Sequence, residues 1–255
     1  MTAPTWRLLR TPDVPAAFAM GLDEALLLAA DEPPTLRLYT WAPDALSLGY
    51  FQPSEEVPAA SAHPNVVRRI TGGGAIHHHA AELTFSVTLG AEDPAYAGSV
   101  PESYGRTHRA VALALQRLGA DGARERGDEA CRSDQKGTGM CFHESTPLDV
   151  GWGPAGGGFA KGVGTAQRRT RGRILHHGSI KVGPSPLEPG VATLAETDGA
   201  RPDLEALGDE LVRAFAEVHG VALVPGAVSE ERLTEAERLG ERYGAPEFVN
   251  RRIRR

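Results

Sequence analysis

The amino-acid sequence predicts an α+β fold in which helices flank mixed β-sheets. In the middle of the chain, several short runs alternate apolar and polar residues, as strands do, and ELTFSVTL (82–89) is the clearest of them. After residue 203, apolar residues instead recur at helical spacing. The 255 residues are 41% hydrophobic, which is enough for a sizeable buried core. We therefore predict one domain over residues 1–255, with C-terminal helices at about 203–245.

The first half of the chain predicts short strands around one helix. Apolar residues recur every three or four positions from Pro15 to Ala30, which predicts a helix that ends before Pro33. LRLYTW and ALSLGYF alternate on either side of a Pro-Asp turn, so we expect them to pair with each other. Strands are predicted at 5–9, 36–41, 45–51, 66–69 and 82–89, a short helix or loop at 54–63, and a tight turn at 71–74.

The second half predicts three further helices and a group of strands. Helices are predicted at 102–118, 203–219 and 229–242. Strands are predicted at 148–152, 158–164 and 173–182. The polar segment 120–140 predicts a mobile loop with a short strand, GPAGGG (153–158) a loose turn, and 184–189 a proline-rich link.

Charge and cysteine content exclude several classes of protein. The net charge of −6 argues against a protein that mainly binds nucleic acid or an anionic membrane. The chain shows neither a signal segment nor an apolar run of membrane-spanning length, so we expect a cytoplasmic protein with free Cys131 and Cys141. Neither cysteine is in a CxxC pair, and the histidines lack zinc-site spacing, so no metal is expected.

Residues 141–181 collect the groups that could carry chemistry. They include Cys141, Lys161 between glycines, a small-residue turn at 164–166 and a His-His-Gly-Ser turn at 176–179. A cysteine and a lysine held together indicate a nucleophile and its activator, because thiolate is the reactive form and a nearby ammonium stabilises it. The alternative is a cysteine that is only a small buried hydrophobic residue, with a lysine in a hairpin.

The glycine run in TGGGAIHHH favours a binding loop over a simple hairpin. The run lacks the third glycine of the G-x-G-x-x-G pattern that binds dinucleotides. No phosphate-binding GxxxxGK[ST] motif occurs in the chain either. A tight turn needs one or two glycines, whereas three let the backbone come close to an anion or a carbonyl group. Of the three histidines that follow, one is expected to line the site and the others to pack or lie on the surface.

Several motifs, taken in order, resemble the lipoate–protein ligase and octanoyltransferase superfamily, which shares its catalytic fold with biotin–protein ligases. The resemblance covers residues 5 to about 245. The motifs that carry it are DEALL (23–27), LRLYTW (36–41), SLGYFQ (47–52), RRITGGGAIHH (68–78), ELTFSV (82–87), CF (141–142), KGVGTAQRR (161–169) and LHHGSI (175–180). Cys141 is similar to the nucleophile of the cysteine-dependent octanoyltransferases, and Lys161 to the lysine common to both branches. Cys131 has no counterpart in the resemblance and is interpreted as structural.

The resemblance implies a substrate site around these two residues. The residues expected to line it are Arg69, Thr71, Gly72, Gly73, Gly74, Ala75, His78, Gly164, Thr165, Ala166, His177 and Gly178. Three features depart from the pattern: a longer connection between Cys141 and Lys161, His79 where an acidic residue is common, and Gly74, which is more typical of ligases. Only short helices follow residue 203, which favours the transferase branch.

Three functions remain open at this stage. The first is octanoyl or lipoyl transfer from acyl carrier protein, through a Cys141 thioester, to a lysine of a lipoyl domain or glycine-cleavage H protein, without a cofactor. The oxyanion would lie near the N–H groups of residues 164–166, and Arg168 and Arg169 would contact the acidic carrier or remain solvated. The second is an ATP- and Mg-dependent lipoate ligase in which Lys161 holds lipoyl-AMP. The third is a non-catalytic acyl- or carrier-binding module.

Overall fold

Two β-sheets organise the molecule, a computed structural model that describes residues 3–153, 157–170, 172–197 and 203–251. The strands in this part of the chain are β1 (Thr5–Val14), β2 (Thr35–Trp41), β3 (Ala45–Leu48), β4 (Val66–Arg68), β5 (Ile76–His78), β6 (Glu82–Gly90), β7 (Arg124–Glu125), β8 (Val150–Trp152), β9 (Ala160–Thr170), β10 (Arg173–Lys181) and β11 (Ala222–Pro225). The large sheet has the order β11-β1-β2-β6-β10-β9-β8-β7, and the small sheet the order β4-β3-β5. In the large sheet β1 is parallel to β2 and β11, and the other neighbours are antiparallel.

Helices cover both faces of the large sheet. They are α1 (Ala16–Leu28), α2 (Val100–Arg117), α3 (Leu204–His219), α4 (Glu230–Gly244) and α5 (Pro246–Val249). Leu38 and Phe85 belong to the core under α2 and α3, whereas Tyr39 and Trp41 pack with α1 on the other face. This division follows from the alternation of side chains along a strand.

Local sequence signals explain where the helices begin and end. Ser99 and Glu102 form a reciprocal capping box that starts α2. The Asp203 side chain caps the start of α3, and Gly220 ends that helix in the left-handed region, with φ of 64°. Where α1 crosses α4, a Cβ atom on Gly21 would lie 2.0 Å from the Ala236 carbonyl oxygen, so only glycine allows this approach.

The α+β class and all four predicted helices are confirmed, but the pairing of two strands was predicted wrongly. β2 lies between β1 and β6 in the large sheet, whereas β3 lies between β4 and β5 in the small one. The two strands are consecutive and alternate well, yet alternation identifies a strand without identifying its partner. The short strands β5 and β11 were not predicted, and β9 runs six residues beyond the predicted end at 164.

The two predicted small-residue turns, 164–166 and 176–179, are also wrong. Both stretches lie inside long strands, β9 and β10, which pair with each other. A Cβ atom on Gly178 would lie 2.7 Å from Thr165 Cγ2, so the small residues allow close packing between the strands and do not form turns. Of the loose turn predicted at 153–158, residues 154–156 lie outside the described residues. No helix in the described ranges is long and apolar enough to cross a bilayer.

Candidate active site

Cys141 and Lys161 lie together at the centre of the candidate site. Lys161 Nζ lies 3.4 Å from Cys141 Sγ and donates a hydrogen bond of 2.8 Å to the Cys141 carbonyl oxygen. The Lys161 side chain is only 2% exposed, while Cys141 is half-buried. A thiol at the edge of solvent therefore has a buried cation beside it, the arrangement that stabilises a thiolate.

The glycine run holds Cys141 in place through its backbone. The Cys141 N–H donates to the Ala75 carbonyl (2.7 Å), and the Ala75 N–H donates to the Gly139 carbonyl (2.8 Å). A Cβ atom on Gly74 would lie 2.9 Å from the Cys141 backbone nitrogen, so this glycine is needed for the two segments to meet. Gly73 has a φ of 93°, which glycine adopts readily. Two of the three glycines thus serve local geometry, whereas a Cβ atom on Gly72 would meet no atom within 4 Å.

A buried arginine fixes the shape of the same loop. Arg69 donates to the carbonyl oxygens of Gly72 (2.8 Å) and Gly74 (2.7 Å), and its other terminal nitrogen donates to the Ser47 carbonyl (3.0 Å). Burial lowers the pKa of Arg69 to about 10, so the guanidinium remains charged at neutral pH. With its donors used by the loop, Arg69 is positioned to support the loop backbone.

Lys161 is anchored by a carboxylate that the sequence did not indicate. Asp149, directly before β8, places Oδ2 3.1 Å from Lys161 Nζ, and the Lys161 backbone N–H donates to Ser133 Oγ (3.2 Å). Burial alone would lower the pKa of Lys161, but the Cys141 thiolate and the Asp149 carboxylate raise it above the usual lysine value. Lys161 is therefore an ammonium group throughout the neutral pH range.

A narrow cavity, which we call the inner slot, extends from Cys141 into the protein. It contains about 390 Å³ of space between atoms. Its wall includes the predicted residues Arg69, Gly72, Gly73, His78, Cys141, Gly164, Thr165, Ala166, His177 and Gly178. Unpredicted members of the wall include Met20, Trp41 and Ile76, which give it an apolar part. This apolar part suits an uncharged group.

A wider groove, which we call the outer groove, meets the inner slot at Cys141. It has about 1,270 Å³ of space and is open to solvent. Its wall includes Lys161 and residues 144–146, 148 and 149, together with Val100, Tyr104 and His108 of α2. Cys141, Gly72, Gly73, Thr165 and Ala166 line both cavities. The thiol is therefore reachable from outside and continuous with a narrow interior.

β9 presents a free edge beside this junction. β8 pairs with β9 only between residues 160 and 163, so no strand of the described part of the chain pairs with β9 beyond Val163 on that side. The Gln167 backbone N–H lies near the Tyr104 hydroxyl of α2, which indicates that this N–H turns to the same edge. Because backbone N–H groups alternate along a strand, the Thr165 N–H, two residues earlier, turns to the same edge. That donor belongs to a residue of the wall around Cys141.

Two predicted residues, Thr71 and Ala75, lie behind the cavities. Thr71 Oγ1 is 2.7 Å from His177 Nε2, and His177 Nδ1 is 3.2 Å from Asp23 Oδ2. Asp23 also accepts hydrogen bonds from Arg37 and Ser86. This network joins α1 and β2 to the glycine loop. It was not predicted, because its members come from five separate parts of the chain.

The histidine run contributes one residue to the inner slot, as expected. His78 lies between Glu82 (2.6 Å) and Ser47 (2.8 Å) and stacks on Trp41, with ring centroids 3.8 Å apart. Burial lowers the pKa of His78 to about 4, so its ring is neutral at pH 7. His77 and His79 are buried and stack on each other. Among the described residues, no group of three or more His, Cys, Asp or Glu side chains is arranged to hold a metal ion.

Comparisons with known proteins agree on a family. Residues 15–215 match the family described as the lipoyl protein ligase A/B catalytic domain. The chain is 36% identical to octanoyltransferase LipM of Kyrpidia tusciae, over 97% of this chain and 99% of the relative. It is 34% identical to octanoyltransferase LipM of Moorella thermoacetica, over 99% of this chain and 100% of the relative.

Solved structures show the same fold at lower sequence identity. A putative lipoate protein ligase from T. acidophilum with bound lipoic acid superposes with a TM-score of 0.74 and 24% identity, covering 98% of this chain and 99% of that one. A structure from a study of a bipartite lipoate protein ligase and its E2 lipoyl domain from Thermoplasma acidophilum also has a TM-score of 0.74, at 22% identity, covering 100% of this chain and 99% of that one. At these identities the likeness concerns the fold alone.

Proposed function

Because this chain belongs to the lipoyl protein ligase A/B catalytic-domain family, we propose that its Cys141–Lys161 pair carries an acyl group during transfer. The chain is an acyltransferase of octanoyl transfer in protein lipoylation, in line with its full-length likeness to octanoyltransferases. The observation that carries the proposed route is the position of Cys141 Sγ, 3.4 Å from Lys161 Nζ, where the inner slot meets the outer groove.

In the first step, the Cys141 thiolate attacks the thioester carbonyl of an octanoyl group carried on acyl carrier protein. The thioester of Cys141 forms, and the thiolate of the carrier's prosthetic arm leaves through the outer groove. The Lys161 ammonium offsets the charge of the attacking thiolate, and Asp149 keeps the lysine charged and in place. One thioester replaces another, so the step requires no ATP.

Backbone donors would stabilise the tetrahedral oxyanion. The prediction named the N–H groups of residues 164–166 as donors. Of these three, the Thr165 N–H is the one that turns to the free edge of β9, because N–H groups alternate along a strand. Donors fixed in a strand are already oriented before the charge develops, which is the condition for efficient electrostatic stabilisation. The Gly164 and Ala166 N–H groups, by the same alternation, turn to β10.

The inner slot would take the acyl chain. The apolar part of its wall, formed by Met20, Trp41 and Ile76, would contact the chain. Met20 lies in its wall, and an unbranched methionine side chain can change rotamer to admit a chain. Residues of β6 and β10, Thr84 and Ser179, form part of the same wall.

In the second step, a lysine amine of a lipoyl domain or of a glycine-cleavage H protein attacks the Cys141 thioester. An amide forms and the Cys141 thiolate is released, so the enzyme returns to its starting state. Conversion of a thioester into an amide is downhill and again needs no cofactor. Arg168, which is half-buried, and Arg169, which is exposed, lie on β9 near the outer groove, where they could contact an acidic carrier.

Mass spectrometry of the intact protein tests this route. The purified enzyme is mixed with octanoyl–acyl carrier protein without ATP, and the expected result is a mass increase of one octanoyl group. Cys141→Ala is the matched control and should show no adduct. Addition of a lipoyl domain or H protein should then remove the adduct from the enzyme and place it on the acceptor.

The ATP-dependent ligase alternative predicts a different result. No adduct would form from the carrier-bound octanoyl group, and the lipoyl domain would be modified only with free lipoate or octanoate and ATP. A protein that binds the carrier without transferring the acyl group in either assay would indicate a non-catalytic module. Either result would overturn the thioester route.

A further inference from the structure

The second step of the proposed reaction needs a group that takes a proton from the attacking lysine. A lysine amine carries a proton at neutral pH and is a nucleophile only without it. Lys161 is unsuited to this task, because its ammonium group is already engaged: it lies 3.1 Å from the Asp149 carboxylate and donates to the carbonyl oxygens of Cys141 and Glu144. Resting on the proposed function, we propose that His108 is the proton acceptor, acting through the hydroxyl of Thr165.

His108 joins the reaction centre to a carboxylate. Its Nε2 lies 2.8 Å from Thr165 Oγ1, and its Nδ1 lies 3.3 Å from Glu125 Oε1. Thr165 is one of the residues shared by the inner slot and the outer groove. Among the described residues, Nδ1 has no hydrogen-bond partner, so the Glu125 carboxylate is the group that faces it. The contacts run from Thr165 through His108 to Glu125. The same arrangement of groups activates nucleophiles in other enzymes, where a carboxylate stabilises the imidazolium.

His108 also lies between two openings to solvent. On one side it lines the outer groove together with Tyr104 and Thr165. On the other it lines a separate groove between α2 and β7, together with Arg109, Gln116 and Glu125. The Glu125 side chain is 40% exposed in that second groove. A proton taken from the reaction side therefore has a short route to solvent on the opposite side of α2.

The other titratable side chains that contact the His108 ring are neutral. Burial raises the pKa of Tyr104, whose ring lies edge-on to His108, to about 12. Burial is the main reason why the pKa of His176 lies well below its usual range, and the nearby His108 lowers it further. Tyr104 therefore stays protonated and His176 stays unprotonated near neutral pH. Neither exchanges a proton in the range where the enzyme would work, and His108 is the ring that faces a carboxylate.

The attacking nitrogen loses two protons in this step, and each has an acceptor. Before the attack, the lysine ammonium passes one proton to Thr165 Oγ1, and the hydroxyl proton of Thr165 passes to His108 Nε2. The neutral amine then bonds to the thioester carbon, and the second proton is lost to water in the outer groove. The carbon–sulfur bond then breaks, and the Cys141 thiolate leaves beside the Lys161 ammonium. The His108 imidazolium, stabilised by Glu125, loses its proton to water in the second groove.

The test separates the two half-reactions in His108→Gln, whose amide can still bond to Thr165. Octanoyl-enzyme is formed from octanoyl–acyl carrier protein, isolated, and mixed with an E2 lipoyl domain and, in parallel, with H protein. We expect acyl-enzyme formation within a few-fold of wild type and a transfer step slowed about 100-fold or more, the usual contribution of a general base. An unchanged transfer rate would overturn the inference.

Hydroxylamine distinguishes a proton acceptor from a residue that only supports the fold. It is an uncharged nucleophile at neutral pH, so it needs no base before it attacks the thioester. The His108→Gln acyl-enzyme should react with hydroxylamine at the wild-type rate. If this reaction slows as much as transfer to the protein lysine, His108 has a structural role and the inference fails.

Glu125→Gln gives a second test at an exposed position where folding is not at risk. It should slow the same transfer step, by less than His108→Gln, and leave the hydroxylamine reaction unchanged. Glu129→Gln is the matched control, because Glu129 is an exposed acid nearby that pairs with Arg124 and not with His108. Equal slowing in both variants would contradict the inference. If the wild-type enzyme forms no acyl-enzyme, the proposed function and this inference fail together, whereas normal acylation with normal transfer in His108→Gln overturns the inference alone.

Discussion

Two buried lysines lie on neighbouring strands, and the contrast between them distinguishes a reactive site from a structural one. Lys161 on β9 and Lys181 on β10 have side chains only 2% and 0% exposed. For both, burial would lower the pKa, but nearby negative charges raise it. The two residues differ in what those charges are.

Lys181 is neutralised by carboxylates alone. Glu82 Oε2 lies 2.5 Å and Glu188 Oε2 2.7 Å from its Nζ, and the ammonium also donates to the His77 carbonyl. Lys161 has one carboxylate, Asp149, and its remaining neighbours include a thiol that opens on two cavities. Burial and a shifted pKa are thus common to both lysines, so neither property identifies the functional one. A reactive partner and an opening to solvent do.

Lys181→Met should have the largest effect, and that effect should be on stability. The change leaves Glu82 and Glu188 buried without a cation, and loss of one partner from a buried ion pair costs about 3–5 kcal/mol of unfolding free energy. Denaturant unfolding measures this loss. Acyl-enzyme formation per folded molecule should stay within a few-fold of wild type.

A combined variant sharpens this prediction. Lys181→Met together with Glu82→Gln and Glu188→Gln removes all three charges and should recover most of the lost unfolding free energy, because no buried charge is left unpaired. A combined variant as unstable as Lys181→Met would mean that the lysine side chain matters for its packing and not for its charge.

Lys161→Met should instead lower activity. We expect acyl-enzyme formation to slow about 100- to 1,000-fold, the usual cost of removing one fixed electrostatic contact from a reaction centre. The measurement is the rate of the octanoyl mass increase, with Asp149→Asn as a partner variant that weakens the same contact less. If the variant keeps its fold and its rate stays within about tenfold of wild type, Lys161 is a structural residue like Lys181, and the distinction between the two lysines is wrong.

Acid sensitivity should come from histidines with a lowered pKa, and half-buried His219 is one of them. The His219 ring stacks on Trp6. Burial, and to a smaller extent the positive charges of Arg106 and Arg109, lower the pKa of His219 from 6.5 to about 4. Between these values the unfolded chain binds a proton that the native protein does not, so stability is lost as the pH falls from 6.5 toward 4.

His219→Gln tests this assignment because the amide does not titrate. Wild type should lose up to about 1.4 kcal/mol more unfolding free energy per pH unit than the variant within that window. The difference should vanish above pH 7, where the ring is neutral in both the folded and the unfolded chain. Unfolding free energies with the same slope in both proteins would exclude His219 as a source of acid sensitivity.

The sequence predicted most elements but not the contacts that distinguish the two lysines. Helices and the strand at 82–89 follow from periodicity, which is a local property. Asp149 lies before a three-residue strand, and it reaches Lys161 only because β8 pairs with β9. No local pattern reports such a pairing. His108 had a signal that was not used: it lies three residues before Val111 and seven before Leu115, on the buried face of its helix.

The wrong turns at 164–166 and 176–179 have a related cause. Small residues can mark a turn or a place where strands pack closely, and composition does not separate these alternatives. The register of β9 against β10, which pairs Thr165 with Gly178, decides between them. That register depends on residues far apart in the chain, so it could not be predicted from either segment alone.

The two cysteines also differ as a structural and a reactive residue, Cys131 and Cys141. Of the variants considered, Cys131→Ser should have the smallest effect. Cys131 Sγ lies 3.2 Å from Ser133 Oγ, which in turn accepts the backbone N–H of Lys161. A serine hydroxyl can make the same contact, so we expect the unfolding free energy to change by no more than about 0.5 kcal/mol. The octanoyl adduct should form at Cys141 in this variant and at no second site. Loss of the adduct in Cys131→Ser would mean that support of β9 through Ser133 matters for acylation, and the separation between a structural and a reactive cysteine would fail.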